Sequence, residues 1–170
     1  MKLSVKESCL FAILGTIMYI SKVLLEVLPN VHLLGLLTIV YTLVYRKKAL
    51  YPIYIYVFLL ALFNGFSLWI LPHFYLWTLL WGCTMCIPTH WSTTKIQIVC
   101  TILCGCHGFL YGILYAPAQA ILFQLSFEGM IAWIISGLPW DLIHGISNVC
   151  VSILITPLTK VLKQITLLSS

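Results

Sequence analysis

Asp141, His144 and Asn148 stand at i, i+3 and i+7 in the segment Gly137-Leu138-Pro139-Trp140-Asp141-Leu142-Ile143-His144-Gly145-Ile146-Ser147-Asn148. On a helix these three side chains share one face. An acid, an imidazole and an amide on one stripe can hold the polar edge of a ligand, relay a proton, or hydrogen-bond to neighbouring helices. The flanking sequence is apolar, and an acid at mid-bilayer costs roughly 2.5–3.5 kcal/mol on insertion scales. Such a stripe therefore calls for a polar cavity, a partner group or a ligand. Trp133 and Trp140 offer stacking faces nearby, and Asp141 can accept from a ring N–H or pair with a cationic ring. A small-molecule site is the first reading; a buried network tying this helix to its neighbours is the second.

Other chemistry is missing from the sequence. No nucleophile–base–orienter set is readable, and HExxH, GxSxG and phosphate-cradling glycine loops do not occur. An enzyme is not expected, no cofactor is implied, and ATP hydrolysis would have to come from another chain. The Cys83-x-x-Cys86 pair lacks a second knuckle, and all seven cysteines lie in apolar segments, where the residue behaves as a small hydrophobe. No metal site is expected. The net charge of +5 sits at helix ends and carries no nucleic-acid signal.

The elements that must position the stripe follow from composition. The chain has 170 residues, 62% hydrophobic and 8% charged, with a mean hydropathy of +1.07. Soluble domains carry about 25% charged residues, so the whole chain reads as one all-α integral membrane domain, residues 1–170. At roughly 20 residues per crossing there is room for about six. Helices are expected over 8–28, 31–45, 49–67, 73–87, 96–115 and 139–162, the last opened by Pro139 in its first turn. Residues 116–137 read as an outer loop or re-entrant half-helix. Lys2, Lys6, Arg46, Lys47, Lys48, Lys95, Lys160 and Lys163 then fall on one side. The positive-inside rule makes both termini cytoplasmic and the number of crossings even.

Glu26, Glu128 and Asp141 gather toward the other side, where Lys22 and Glu26 form a snorkelling pair. Trp69, His73, Tyr75, Trp77 and Trp81 are either an interfacial belt or the stacking lining of a ligand cavity. His32 reads as interfacial and His107 as a satisfied core group. Ser8, Ala12 and Thr16 recur every four residues, a small-residue face for close helix packing inside the protein or against a partner.

The Gly137–Asn148 segment, followed by an apolar helix with Pro157-Leu158 and a basic end, resembles the last helix of energy-coupling factor transporter S components. These are the substrate-capturing subunits of bacterial vitamin importers. Length, six expected spans, inner termini and the small-residue face of the first helix are similar across the chain. The resemblance implies a multi-pass protein of the bacterial cell membrane that binds a vitamin-like nutrient from outside and topples to release it. It also implies docking on a transmembrane T component carrying two cytoplasmic ATPases, here through Ser8, Ala12 and Thr16. The family's alanine pattern is represented by Ala12 alone. On this reading Asp141 and Asn148, with His144, fix polar edges of a heteroaromatic ligand. Trp133, Trp140 and Trp81 stack on it, Glu128 adds to an acidic mouth, and the Pro29–His32 and Ala116–Gly137 segments close over it. A self-contained proton-coupled carrier is the alternative, and a six-helix membrane enzyme a more distant one.

Overall fold

A computed structural model describes residues 3–169; Lys2 lies outside the described residues. The described chain is helical, with no strand. Its helices are α1 (Val5–Leu24), α2 (Leu34–Tyr45), α3 (Leu50–Asn64), α4 (Leu71–Met85), α5 (Thr93–Phe109), α6 (Tyr111–Phe123), α7 (Phe127–Val151) and α8 (Ile155–Ser169), with short 3-10 turns at Arg46–Ala49, Leu68–Ile70 and Ser152–Leu154. α5 and α6 are halves of one segment bent by 41°, and α7 runs into α8, which gives six helical segments. Val5–Leu24 and Phe127–Thr166 are long and apolar enough to cross a membrane, and α5 with α6 makes a third if the bent pair is one span.

The packing follows from the sequence pattern. α2 is apolar on every side, and every residue from Leu34 to Thr42 is buried, as expected of a helix without a polar face. Its 12 residues rise only about 18 Å, short of the roughly 30 Å of bilayer hydrocarbon. It is the central post of the bundle, packed by α1, α4, α5, α7 and α8, and Tyr41 Oη donates to Leu14 O across it. The outer surface is the reverse of a soluble one. Val5, Ile13, Phe58, Phe66, Ile102, Ile121 and Ile153 are each more than half exposed, an apolar coat suited to hydrocarbon.

The basic residues collect at one end. There Arg46 Nη2 donates to Met85 O at 2.6 Å, Tyr45 Oη meets Thr166 Oγ1 at 2.9 Å, and Lys48 pairs with Glu7. Those contacts join the end of α2 to the start of α1 and the ends of α4 and α8. At the other end Lys22 Nζ reaches Glu26 Oε1 at 2.9 Å, the pair expected from the sequence.

The second half of the chain departs from the expectation. The last long helix begins at Phe127, well before Pro139, which lies inside α7. Within the stretch expected to be an outer loop or half-helix, Gln124 to Ser126 make a tight turn and Glu128 lies in the first turn of α7. Gln124 takes a left-handed backbone (φ 53°) that ends α6, and Ser126 caps α7 by accepting from Gly129 N. Likewise the helix does not break at Pro117, which sits within α6; it breaks at Leu110. The 3-10 turn before α8 is stitched to α5 by Gln97. Its Nε2 donates to Ser152 O at 2.8 Å, and its Oε1 accepts from Thr156 N and Oγ1 at 3.1 and 2.6 Å. These bonds satisfy backbone groups freed by the turn, which an apolar surround requires.

Candidate ligand-binding site

The stripe on α7 is brought into the bundle by glycines. A methyl group at Gly108 would lie 2.8 Å from Gly145 Cα and 2.9 Å from its N, so α5 and α7 touch backbone to backbone. Asp141, His144 and Asn148 are consequently all buried. The break at Leu110 leaves the first N–H groups of α6 without intrahelical acceptors. Both carboxylate oxygens of Asp141 accept from one of them, Gly112 N, at 3.1 and 3.0 Å. Asp141 is thus an N-cap supplied from another helix, matched to the positive end of the helix dipole. Asp141→Ala is expected to destabilise the chain by about 1–3 kcal/mol, while Asp141→Asn, which keeps an acceptor, loses less. Thermal unfolding of the purified variants in detergent checks the order.

Asn148 donates from Nδ2 to Cys104 O at 3.0 Å, but its buried Oδ1 has no partner. His144, one turn away, lies among rings. Its centroid is 4.4 Å from His32, 5.0 Å from Tyr111 and 6.5 Å from His107. Trp77 closes the group at 6.0 Å from His32 and 5.4 Å from His107. Four ring nitrogens of this cluster are buried without a partner: His32 Nδ1, Trp77 Nε1, His107 Nδ1 and His144 Nε2. An unmatched buried polar group costs about 1–3 kcal/mol, and five such atoms, counting Asn148 Oδ1, stand together here. Comparison with family models, curated protein sequences and solved structures gave no match.

The donor and acceptor pattern is partly fixed. His107 Nε2 faces Leu76 O at 3.3 Å, so that nitrogen carries the proton and Nδ1 presents a lone pair. Trp77 Nε1 can only donate, and Asn148 Oδ1 can only accept. His32 lies in the 25–33 connection outside the helices, and burial together with the nearby His107 pushes its imidazole down to about 4, so it is neutral at neutral pH. The three imidazoles do not form a group that could hold a metal ion. The cluster thus holds both unpaired donors and unpaired acceptors.

The structure brings together only part of the set expected from sequence. Asp141, His144 and Asn148 share the buried face, and Trp133 joins by stacking on Tyr115 at 5.7 Å and 21°. Trp140 is 50% exposed on the outside of α7, and Glu128 is exposed in that helix's first turn. Trp81 donates to Arg46 O at 3.1 Å, at the basic end; the α4 tryptophan that reaches the cluster is Trp77.

By sequence His32 reads as interfacial, in a segment expected to close over the ligand, His107 as a core group and Trp77 as one ring of a belt or ligand lining, while Tyr111 is not singled out. A signal was present: Trp69, His73 and Trp77 repeat every four residues, as do His107, Tyr111 and Tyr115. The two ladders interlock, with Trp77 against His107 and Tyr111, and His73 against Tyr115 at 6.2 Å.

Proposed function

We propose that this chain is the membrane-embedded substrate-capture subunit of an energy-coupling factor transporter. Its six helical segments lie in a bacterial plasma membrane with both termini inside, and it takes a small heteroaromatic nutrient from outside and delivers it by docking on a T component with two ATPases. The observation that carries this reading is the cluster of unpartnered ring nitrogens beneath the 25–33 connection. His32 is the one member of that cluster outside a helix, so lifting the connection is the shortest route to the other rings. A nutrient ring would replace His32 against His144 and Trp77, and its edge would meet His107 Nδ1 and Asn148 Oδ1.

The docking part of the reading is supported by α1. Ser8, Ala12 and Thr16 are exposed in a row. The Ser8 and Thr16 hydroxyls donate to Ser4 O and Ala12 O at 3.0 and 2.9 Å, so the row presents small, internally satisfied side chains to a partner helix. Gly15 faces inward against Ile55 and Pro52.

The experiment is ligand recovery. The full chain, purified from bacterial membranes in mild detergent, is denatured and the released small molecules are identified by mass spectrometry. A heteroaromatic compound in near-stoichiometric amount is expected. A chain that releases none, and whose unfolding midpoint no member of a vitamin panel shifts, would count against a capture role.

A further inference from the structure

At the basic end, the last turn of α2, the start of α5 and α8 enclose a cavity of about 140 Å³. Arg46, Lys160 and Lys163 line it together with Thr89, Thr93 and Thr159, and no carboxylate does. Interfacial lysines alone would be an ordinary fringe of snorkelling cations. Arg46 is different. Its Nη2 is held by Met85 O, but its Nη1 is buried with no partner, as is the nearby Thr159 Oγ1. An unpaired donor on a charged group is penalised more heavily than a neutral one.

The Arg46 backbone adds a second, independent sign. It sits at φ 51°, ψ −120°, a region disfavoured for any residue with a side chain. Trp81 Nε1 fixes its carbonyl there at 3.1 Å. Strain, a half-buried cation whose Nη1 has no partner and two further lysines thus coincide at one cavity. Thr93, the first residue of the 17-residue α5, sets the positive end of a helix dipole at its wall.

We propose that this cavity binds a phosphate group, carried by an anionic lipid headgroup or a free phosphate ester. Arg46 and Thr159 supply donors from its wall, and Lys160 and Lys163 balance the remaining charge. A guanidinium presents donors in a plane that suits phosphate oxygens. The volume decides how much of the ligand enters. At about 140 Å³ it is well below the roughly 300–1,000 Å³ of pockets that enclose whole small molecules, so the phosphate enters and the rest of the molecule stays outside. This site is separate from the ring cluster and does not depend on what that cluster binds.

The test is thermal unfolding of the full chain in detergent with added phosphatidylglycerol, phosphatidylcholine, or inorganic phosphate against chloride at equal ionic strength. The midpoint is expected to rise with phosphatidylglycerol or phosphate and not with phosphatidylcholine or chloride. A rise with the lipid alone assigns a headgroup site; a rise with inorganic phosphate as well assigns a site open to free phosphate esters. Arg46→Gln is expected to weaken the apparent affinity about tenfold or more. Because Arg46 also bonds to Met85, the exposed pair Lys160→Gln/Lys163→Gln serves as a second variant that leaves the packing intact, with a similar loss expected. No rise with either phosphate source, or an equal rise in the double lysine variant, overturns the proposal.

Discussion

Gly108→Ala is expected to destabilise the folded chain by about 3 kcal/mol, at the upper end of overpacking effects. The added methyl would meet Gly145 Cα at 2.8 Å and Gly145 N at 2.9 Å. Both are backbone atoms, so no rotamer change relieves the clash and α5 must move away from α7. That movement strains the Asn148–Cys104 bond and the Asp141 cap on Gly112, which lie on the same face. Gly137→Ala, on α7 itself, is the control. Nothing lies within 4 Å of its added methyl, and replacing a helix-interior glycine gains about 0.5–1 kcal/mol. Opposite shifts of the unfolding midpoint in detergent are the expected result. Equal effects would mean that the helices do not meet at Gly108.

His144→Leu separates a ligand residue from a structural one. The imidazole is 2% exposed, yet its Nε2 has no partner within the protein. Replacing it with an apolar group of similar size removes an unmatched polar atom and is expected to leave stability unchanged or raise it, by up to about 1–3 kcal/mol. Ligand binding is expected to fall about tenfold or more, since a hydrogen bond in a dry site and a stacking contact are lost together. If His144 served packing alone, the variant would lose stability and bind as before. Equilibrium binding of the recovered ligand, alongside the unfolding midpoint, reads both quantities.

Much of this arrangement is legible in the sequence. The spacing of Asp141, His144 and Asn148 fixes their shared face, because helical period is a local property. The Pro29–His32 stretch, expected near the ligand, does lie over the stripe through His32. Arg46, Lys48, Lys160 and Lys163 do gather at one end, with Lys22 at the other. Proline misled in the second half: Pro117 and Pro139 are the strongest local breakers, yet both lie inside helices.

The actual break at Leu110 is capped by Asp141, 31 positions away in the chain, which offers its carboxylate to the freed Gly112 N–H. Such a long-range cap leaves no local trace. For the same reason the carboxylate expected at the ligand edge is held by the Gly112 backbone, while buried ring nitrogens nearby are left unpaired. Trp81 and Trp77 are one turn apart, and only the tertiary packing decides that the first serves Arg46 and the second the ring cluster.

The most direct test of a capture subunit is dependence on partners. The tagged chain is recovered from the membranes of its own cells in mild detergent, reconstituted with whatever co-purifies, and assayed for uptake of the recovered ligand with and without ATP. The expected result is recovery of a second transmembrane protein with a pair of ATPases, and uptake only when ATP and those partners are present. Uptake by the chain alone into liposomes, driven by a proton gradient and indifferent to ATP, would contradict the account and make the histidine cluster part of a self-contained carrier.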